Sequence, residues 1–410
     1  MKKFKIVTLG CRTNQYESQG YADQLRAMGY EPATDSEPAD VCIVNTCTVT
    51  ESADSSSRLR IRQLVRENPE AKIAVTGCMA ESAPNVITTL GENIHLVPNK
   101  TKEQLIEQLF PDEAQWPEFR IQAFDGHTRA FVKVQDGCNS FCTYCIIPYV
   151  RGRSRSRPIA EVVAEVQGLV ANGYKEVVIT GINVGDFDNG GRLVDLVRAV
   201  DGVEGLKRLR ISSIDPDEVD DALQEAVLNG KHTCPSMHIV LQAGSNVTLK
   251  RMNRKYTKQI FLDTVERLKK AKPEFTVTTD VIVGFPGETE ADFAETLDVV
   301  RAVKFAKIHV FPYSVRARTR AALYPNQVPK PVIEERKQRL LRLAEKTAFD
   351  LRAEYVGRTA EVLLEENGEG HTDNFLKVLV EPGVHKKNDV VRCVLTENTP
   401  EGLIGRYDSN

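Results

Sequence analysis

The sequence predicts an α/β protein in three parts: an N-terminal parallel-sheet α/β domain, a central partial (β/α)6 barrel and a small C-terminal β-barrel. Three observations predict this. Apolar, strand-like runs alternate with stretches of helical period from Phe4 to Phe311, and such alternation builds parallel sheets. A polar, aperiodic segment at 111–127, carrying Pro111 and Pro117, divides that series and reads as a linker between residues 1–110 and 128–350. From Tyr355 onward short alternating strands and turn residues take over, so 355–410 reads as a small β-barrel.

A chain of 410 residues is too long for one ordinary core. With 41% hydrophobic and 27% charged residues it has the composition of a soluble globular protein, and a net charge of -3 excludes bulk attraction to nucleic acid. Any RNA contact must therefore come from local patches. No signal peptide is visible, and no apolar run approaches the roughly 20 residues a membrane span needs. A cytoplasmic protein with no membrane partner is the expectation. Nine cysteines in a reducing compartment should be ligands or core residues rather than disulfides.

In the first part, strands are expected at Phe4 to Gly10, Asp40 to Thr46 and Lys72 to Gly77, with helices at Gln15 to Met28 and Ala53 to Glu67. Each strand ends on a cysteine: Cys11, Cys47 and Cys78. The ligand crevice of a parallel sheet lies beyond the C-terminal ends of its strands, so these three thiols should converge. The small or polar neighbours Gly10, Thr46 and Gly77 leave room there. Cys42, inside Val41-Cys42-Ile43-Val44, reads as plain core.

In the second part, strands are expected at Phe131 to Gln135, Glu176 to Thr180, Lys207 to Ile211, His238 to Leu241, Thr276 to Val283 and Lys307 to Phe311. Helices separate them at Ile159 to Ala171, Leu193 to Val200, Val219 to Leu228, Lys258 to Ala271 and Glu290 to Val300. Barrels of this kind work at the C-terminal ends of their strands. The first such end carries Cys138, Cys142 and Cys145 at C-x3-C-x2-C spacing. Three thiolates leave one iron of a four-iron cluster without a protein ligand, an open position that can take a substrate. A structural zinc would need a fourth ligand, and neither a cysteine nor a histidine follows Cys145 at short spacing. Three cysteines of an ordinary core are the remaining reading.

Later strand ends on the same face offer Asn183, Ser213, Gln242, Gly284, Gly287 and Glu288 for a ribose or amino-acid moiety. Basic runs lie beside the cysteine loop at Arg151, Arg153, Arg155 and Arg157, then at Arg254 and Lys255, and again from Arg316 to Arg320. Each can be a solvated face or a phosphate-binding patch. In the third part, strands are expected at Thr359 to Leu364, Phe375 to Val380, Asp389 to Leu395 and Leu403 to Tyr407, with turns at Asn367-Gly368 and Pro382-Gly383.

At Cys138, Cys142 and Cys145, with Tyr144 just before the third thiol, the sequence resembles the radical S-adenosylmethionine (SAM) superfamily. Together with Leu9-Gly10-Cys11-Arg12-Thr13-Asn14-Gln15, Asn45-Thr46-Cys47, Thr76-Gly77-Cys78 and Leu241-Gln242-Ala243-Gly244-Ser245, almost the whole chain resembles the methylthiotransferases. Gly10 to Glu17 and His371 to Phe375 look like the branch acting on N6-threonylcarbamoyladenosine in tRNA. The resemblance implies two 4Fe-4S clusters, SAM as radical source and methyl donor with Tyr144 near it, and a TRAM-like C-terminal barrel that binds RNA. It also implies an electron donor such as flavodoxin or ferredoxin, and leaves the sulfur donor unknown. Other branches modify isopentenyladenosine in tRNA or a ribosomal-protein aspartate. Where relatives carry a Gly-Thr-Pro-Ala-Ala-like segment, this chain has Arg318-Thr319-Arg320-Ala321-Ala322, which adds charge near the substrate. A non-catalytic metal-dependent RNA-binding protein is the rival from another class. If the C-terminal barrel serves RNA alone, its removal should leave SAM chemistry intact.

Overall fold

The computed structural model describes Lys2 to Asp408, apart from Pro382 and Val384. The turn expected at Pro382-Gly383 therefore lies outside the described residues.

The N-terminal domain runs β1 (Lys3–Thr8), α1 (Arg12–Ala27), β2 (Glu31–Pro32), β3 (Val41–Thr46), α2 (Glu51–Glu67), β4 (Lys72–Gly77), α3 (Cys78–Ser82), α4 (Pro84–Thr88), β5 (Ile94–Leu96) and α5 (Leu105–Leu109). Its sheet has the order β2-β1-β3-β4-β5, with every pairing parallel. Helices cover both faces, with Tyr21 and Leu25 on one and Ile61 and Leu64 on the other, so the central β3 is buried throughout. Cys42 sits in that core.

The barrel runs β6 (Arg129–Lys133), β7 (Gln135–Asp136), α6 (Ile147–Val150), β8 (Arg155–Ser156), α7 (Ile159–Ala171), β9 (Glu176–Thr180), α8 (Leu193–Asp201), β10 (Arg208–Ile214), α9 (Asp221–Asn229), β11 (Thr233–Ile239), α10 (Asn246–Arg251), α11 (Lys258–Ala271), β12 (Thr276–Val283), α12 (Glu290–Val303), β13 (Lys307–Pro312) and α13 (Lys330–Ala353). Six parallel strands follow the order β6-β9-β10-β11-β12-β13, and the two end strands do not pair with one another, so the barrel is open on one side. Alternate residues such as Val277, Thr279 and Val281 are fully buried beneath the helices, which turns Thr278 and Asp280 to the lumen. The strand at His238 to Leu241 is displaced towards the N-terminus, because Thr233–Ile239 pairs despite Pro235 and its polar residues. The sequence reading missed α13, a strongly charged helix whose narrow buried stripe is Leu340, Ala344, Ala348 and Leu351.

Residues 111–127 connect the two domains and also hold them together. Phe119 packs its ring against Tyr16 and Tyr21, Ile121 and Phe124 enter the barrel core, and Gln24 Nε2 donates to the Pro117 carbonyl at 2.6 Å. Helix α1 lies against β6 beside the open side of the barrel.

The last part closes as β14 (Thr359–Leu364), β15 (Glu369–Thr372), β16 (Lys377–Val380), β18 (Leu403–Tyr407) and β17 (Val390–Asn398). Strand β15, Glu-Gly-His-Thr, is too polar to read as a strand. The small barrel docks under the N-terminal strand ends of the large one. Arg208 donates to the carbonyls of His371 (2.9 Å) and Glu361 (2.8 Å), and Arg210 to those of Asp373 (2.6 Å) and Thr372 (2.9 Å). Phe375 sits 5.3 Å from the Arg129 guanidinium and 5.1 Å from that of Arg210. A separable RNA module is therefore not what the packing supports. Hydrogen bonds from charged donors contribute about 1.5–3 kcal/mol each, so deleting 355–410 should lower the urea midpoint of the remaining domains. An unchanged midpoint would show that the plug does not support the barrel.

Candidate active site

Both cysteine sets lie where strands end. Cys11, Cys47 and Cys78 follow β1, β3 and β4, and local backbone geometry brings them close. Gly77 has φ +92° and its missing Cβ would lie 2.5 Å from the Thr46 carbonyl oxygen, while a Cβ on Gly10 would lie 2.9 Å from Cys47 Cβ. Only glycine lets the strand ends approach this tightly. Gly77→Ala should accordingly cost the N-terminal domain a few kcal/mol (about 1–3), read by thermal unfolding. An unchanged midpoint would mean that the crossing can relax.

Cys138, Cys142 and Cys145 occupy the loop after β7. Gly137, at φ +73°, passes so close to Arg153 that a Cβ would fall 2.1 Å from its carbonyl oxygen. The loop is tied to its neighbours by Thr143, whose amide donates to the Met252 carbonyl at 3.0 Å and whose hydroxyl donates to that of Arg251 at 2.9 Å.

The two sets face one another. Cys78 and Cys138 belong to one packed cluster with Ile146, Ile147 and Val150, and Cys145 packs against it. Burial pushes the thiols of Cys78, Cys138 and Cys145 up, and that of Cys47 up to about 11. Such thiols become thiolates only when a cation replaces the lost water. Each set has three sulfurs and, among the described residues, no fourth cysteine or histidine beside them. That donor set suits an iron-sulfur cluster with one open iron and does not suit a closed tetrahedral zinc.

Two arginines serve these thiols. Arg254 Nη1 donates to Cys142 Sγ at 2.8 Å and Nη2 pairs with Asp215. Arg151 Nε donates to Cys78 Sγ at 3.3 Å, Nη1 reaches Asp136 (2.8 Å) and Glu17 (3.2 Å), and Nη2 bonds Asn14. Arg151 starts beside one set and ends on the other, only 2% exposed. A phosphate cannot reach it, and the expected RNA role does not hold for Arg151. Arg254 is likewise committed to Cys142 and Asp215, and Arg157 pairs with Glu165 at 2.7 Å. Arg153, Arg155 and Lys255 stay exposed.

Beneath the cysteine loop, Gln135 Oε1 accepts from the amides of Ile182 (2.9 Å) and Asn183 (3.1 Å) while Nε2 donates to the Gly137 carbonyl at 2.7 Å. Asn183 Nδ2 donates to Glu218, whose carboxyl burial pushes up to about 7. At the third strand end the hydroxyl buried without a partner is that of Ser212; Ser213 is half-buried. Gln242 takes φ +61° and leaves Oε1 buried and unbonded, the mark of a group awaiting a ligand. It lines a cavity of about 170 Å³ with Tyr144, Cys145, Asp280, Phe311 and, from the N-terminal domain, Thr50. Gly284, Gly287 and Glu288 are used otherwise. A Cβ on Gly284 would meet Ile333 at 2.4 Å, the Gly287 carbonyl accepts from Arg251, and Glu288 pairs with Arg336 at 2.7 Å. This turn packs on α13, because the buried Arg336 takes up the carboxylate expected to meet the ligand. Sequence reading missed Gln135, Asp215 and Glu218, whose partners across the site, Ile182, Arg254 and Asn183, lie tens of residues away.

A larger groove of about 760 Å³, lined by β1, α1 and α2, contains none of the cysteines. Among the described residues, no helix is long and apolar enough to cross a membrane.

Residues 132–300 match the radical SAM superfamily, and residues 3–98 match a family described as uncharacterized protein family UPF0004. A threonylcarbamoyladenosine tRNA methylthiotransferase, MtaB, of Chlamydia pneumoniae is 51% identical, covering 98% of this chain and 97% of the relative. Its namesake from Bacillus subtilis is 40% identical (91% and 89%). A tRNA-2-methylthio-N(6)-dimethylallyladenosine synthase of Caldicellulosiruptor saccharolyticus is also 40% identical (92% and 84%). Among solved structures, the radical SAM methyltransferase TsrM of Kitasatospora setae superposes with a TM-score of 0.55 at 15% identity, over 76% of this chain and 75% of that one, which is a likeness of fold. Converging thiol sets, an open six-stranded barrel and relatives matching end to end lead to one conclusion: the chain belongs to the radical SAM methylthiotransferase family.

Proposed function

We propose that the protein methylthiolates C2 of N6-threonylcarbamoyladenosine next to the anticodon of tRNA, with two 4Fe-4S clusters and SAM. Cys138, Cys142 and Cys145 would hold one cluster, and Cys11, Cys47 and Cys78 the other. The observation that carries this reading is that Cys78 of one three-thiol set packs in one cluster with Cys138 and Cys145 of the other. An aromatic C–H offers no acidic proton and no leaving group, so the bound cofactors supply radical and sulfur chemistry that side chains cannot.

The chain's own residues bind, orient and exclude water. Arg254 and Arg151 neutralise thiolate charge on either side of the junction. Gln242 and Asn183 offer polar contacts to SAM, and Tyr144, Ile146, Ile147 and Phe311 give the cavity an apolar lining. Exposed Arg153 and Arg155, with Lys255, would hold the RNA backbone by salt-dependent contacts. A one-electron donor such as flavodoxin or ferredoxin is required, and the barrel of 355–410 contributes to RNA contact from its place below the larger barrel.

The choice of threonylcarbamoyladenosine rests on the names of the 51% and 40% identical relatives. It is tested by nucleoside mass spectrometry of tRNA from a strain lacking the protein. Methylthio-threonylcarbamoyladenosine should vanish while methylthio-dimethylallyladenosine persists. The reverse pattern would transfer the assignment to the dimethylallyl substrate.

A further inference from the structure

The lumen below the thiols carries charge that the cofactors do not use. Arg12, immediately after Cys11, lays its guanidinium 5.3 Å from the Phe131 ring centroid, inside the open barrel. Arg129 and Arg210 share this space, but both have carboxylate partners: Glu365 at 3.2 Å for Arg129 and Glu176 at 2.6 Å for Arg210. Arg12 has no ion pair or side-chain hydrogen bond among the described residues, and neither has Lys307. Beside them His238, Asp280 and His309 bring one ligating atom each to within 4.8 Å of one another. His238 Nε2 is buried with no hydrogen bond, since its 3.4 Å approach to Asp280 is too poorly aligned to make one. Asp280 also lines the upper cavity beside Gln242 and Cys145, so this group forms its floor.

Two ligands could satisfy such a group. A divalent cation would suit two imidazoles and a carboxylate alone, but here it would sit in the field of Arg12 and Lys307, both of which act on His309. An anion carrying a neighbouring hydroxyl suits all of them. A guanidinium pairs with a carboxylate through two parallel hydrogen bonds, and a carboxylate such as Asp280 accepts from a hydroxyl.

We propose that Arg12, with Lys307 and His309 behind it, receives the carboxylate of the substrate's threonyl group, and that Asp280 accepts its hydroxyl. This rests on the threonylcarbamoyladenosine reading above and adds where and how the modification is recognised. A dimethylallyl group has neither carboxylate nor hydroxyl and would leave Arg12 uncompensated, so the same lumen discriminates against it.

The test is equilibrium binding of anticodon stem-loop RNAs to reconstituted wild-type protein under anaerobic conditions. Three RNAs are compared: one with threonylcarbamoyladenosine, one with its carboxylate blocked as the methyl ester, and one with unmodified adenosine. The free acid should bind at least about tenfold more tightly than the ester. Equal binding of acid and ester, with both tighter than unmodified RNA, would overturn the carboxylate receptor and leave the substrate reading standing. If neither beats unmodified RNA, the substrate reading itself fails. Arg12→Met locates the receptor: the acid-over-ester preference should collapse to about onefold, and Arg12→Lys should restore part of it. Full preference retained in Arg12→Met would place the receptor elsewhere. Stoichiometric zinc that His309→Ala removes would replace the anion site with a metal site.

Discussion

Cys138→Ala, Cys142→Ala and Cys145→Ala together should halve the iron of the anaerobically reconstituted protein, from about eight to about four per chain, and abolish formation of 5′-deoxyadenosine from SAM. The thiols fall into two sets on different domains, and neither set can borrow a ligand from the other without breaking the packing of Cys78 against Cys138, Ile146 and Val150. Loss of one set therefore leaves the other able to load. The loop would lose the sulfur that Arg254 contacts, but that guanidinium keeps its pair with Asp215, so the fold should survive. Iron content follows from chemical analysis and deoxyadenosine from chromatography. Full iron, or continued deoxyadenosine, would break the assignment of these cysteines.

Glu17→Ala should destabilise the protein by about 3–5 kcal/mol, the cost of removing one partner from a buried ionic network. Glu17 is fully buried on α1 and reaches Lys102 at 2.6 Å, Arg151 at 3.2 Å and Lys133 at 3.4 Å. Asp136 shares the same cations, with Lys102 at 2.5 Å and Arg151 at 2.8 Å. The network joins the N-terminal domain to β6 and β7 directly behind the thiols, so its loss should loosen the junction as well as the fold. Burial pushes both carboxyls up, but the three cations outweigh it, holding Glu17 at about 2 and Asp136 well below its ordinary value. A depressed carboxylate stabilises the native state above its unfolded pKa, about 4.3 for Glu. That stability, about 3 kcal/mol for Glu17, is lost as pH falls from about 5 towards 2. Urea unfolding of wild type and Glu17→Ala at pH 7 and pH 4 checks both statements. A difference that does not shrink at the lower pH would contradict the ionic account.

Regular elements were legible where burial follows a single period. Glu176–Thr180 and Lys258–Ala271 have the bounds their apolar spacing predicts. The signal failed where few side chains are buried, as in α13 and β15, and where a proline or polar run sits in a paired strand, as at Pro235 in β11. Cysteines read well because their position past a strand end is a local property. Charged residues read badly. Arg151 and Arg153 are two residues apart in one basic run, yet one is buried between the thiol sets and the other is exposed.

By itself the sequence determined the alternation of strands and helices, the two three-cysteine sets at strand ends, and the change to a small β-barrel near residue 355. These depend on periodicity and on chain-local turns, which a linear pattern records. Tertiary structure alone decided that Arg151 bonds Cys78 across 73 positions, that Arg12 enters the barrel unpaired, and that the small barrel plugs the base of the large one instead of flanking its active face. The direction of a long charged side chain is set by where its counter-charges lie in space. For Arg151 those are Asp136 and Glu17, the second 134 residues away in the chain, with Asn14 as a further neutral acceptor, so no local pattern could reveal it.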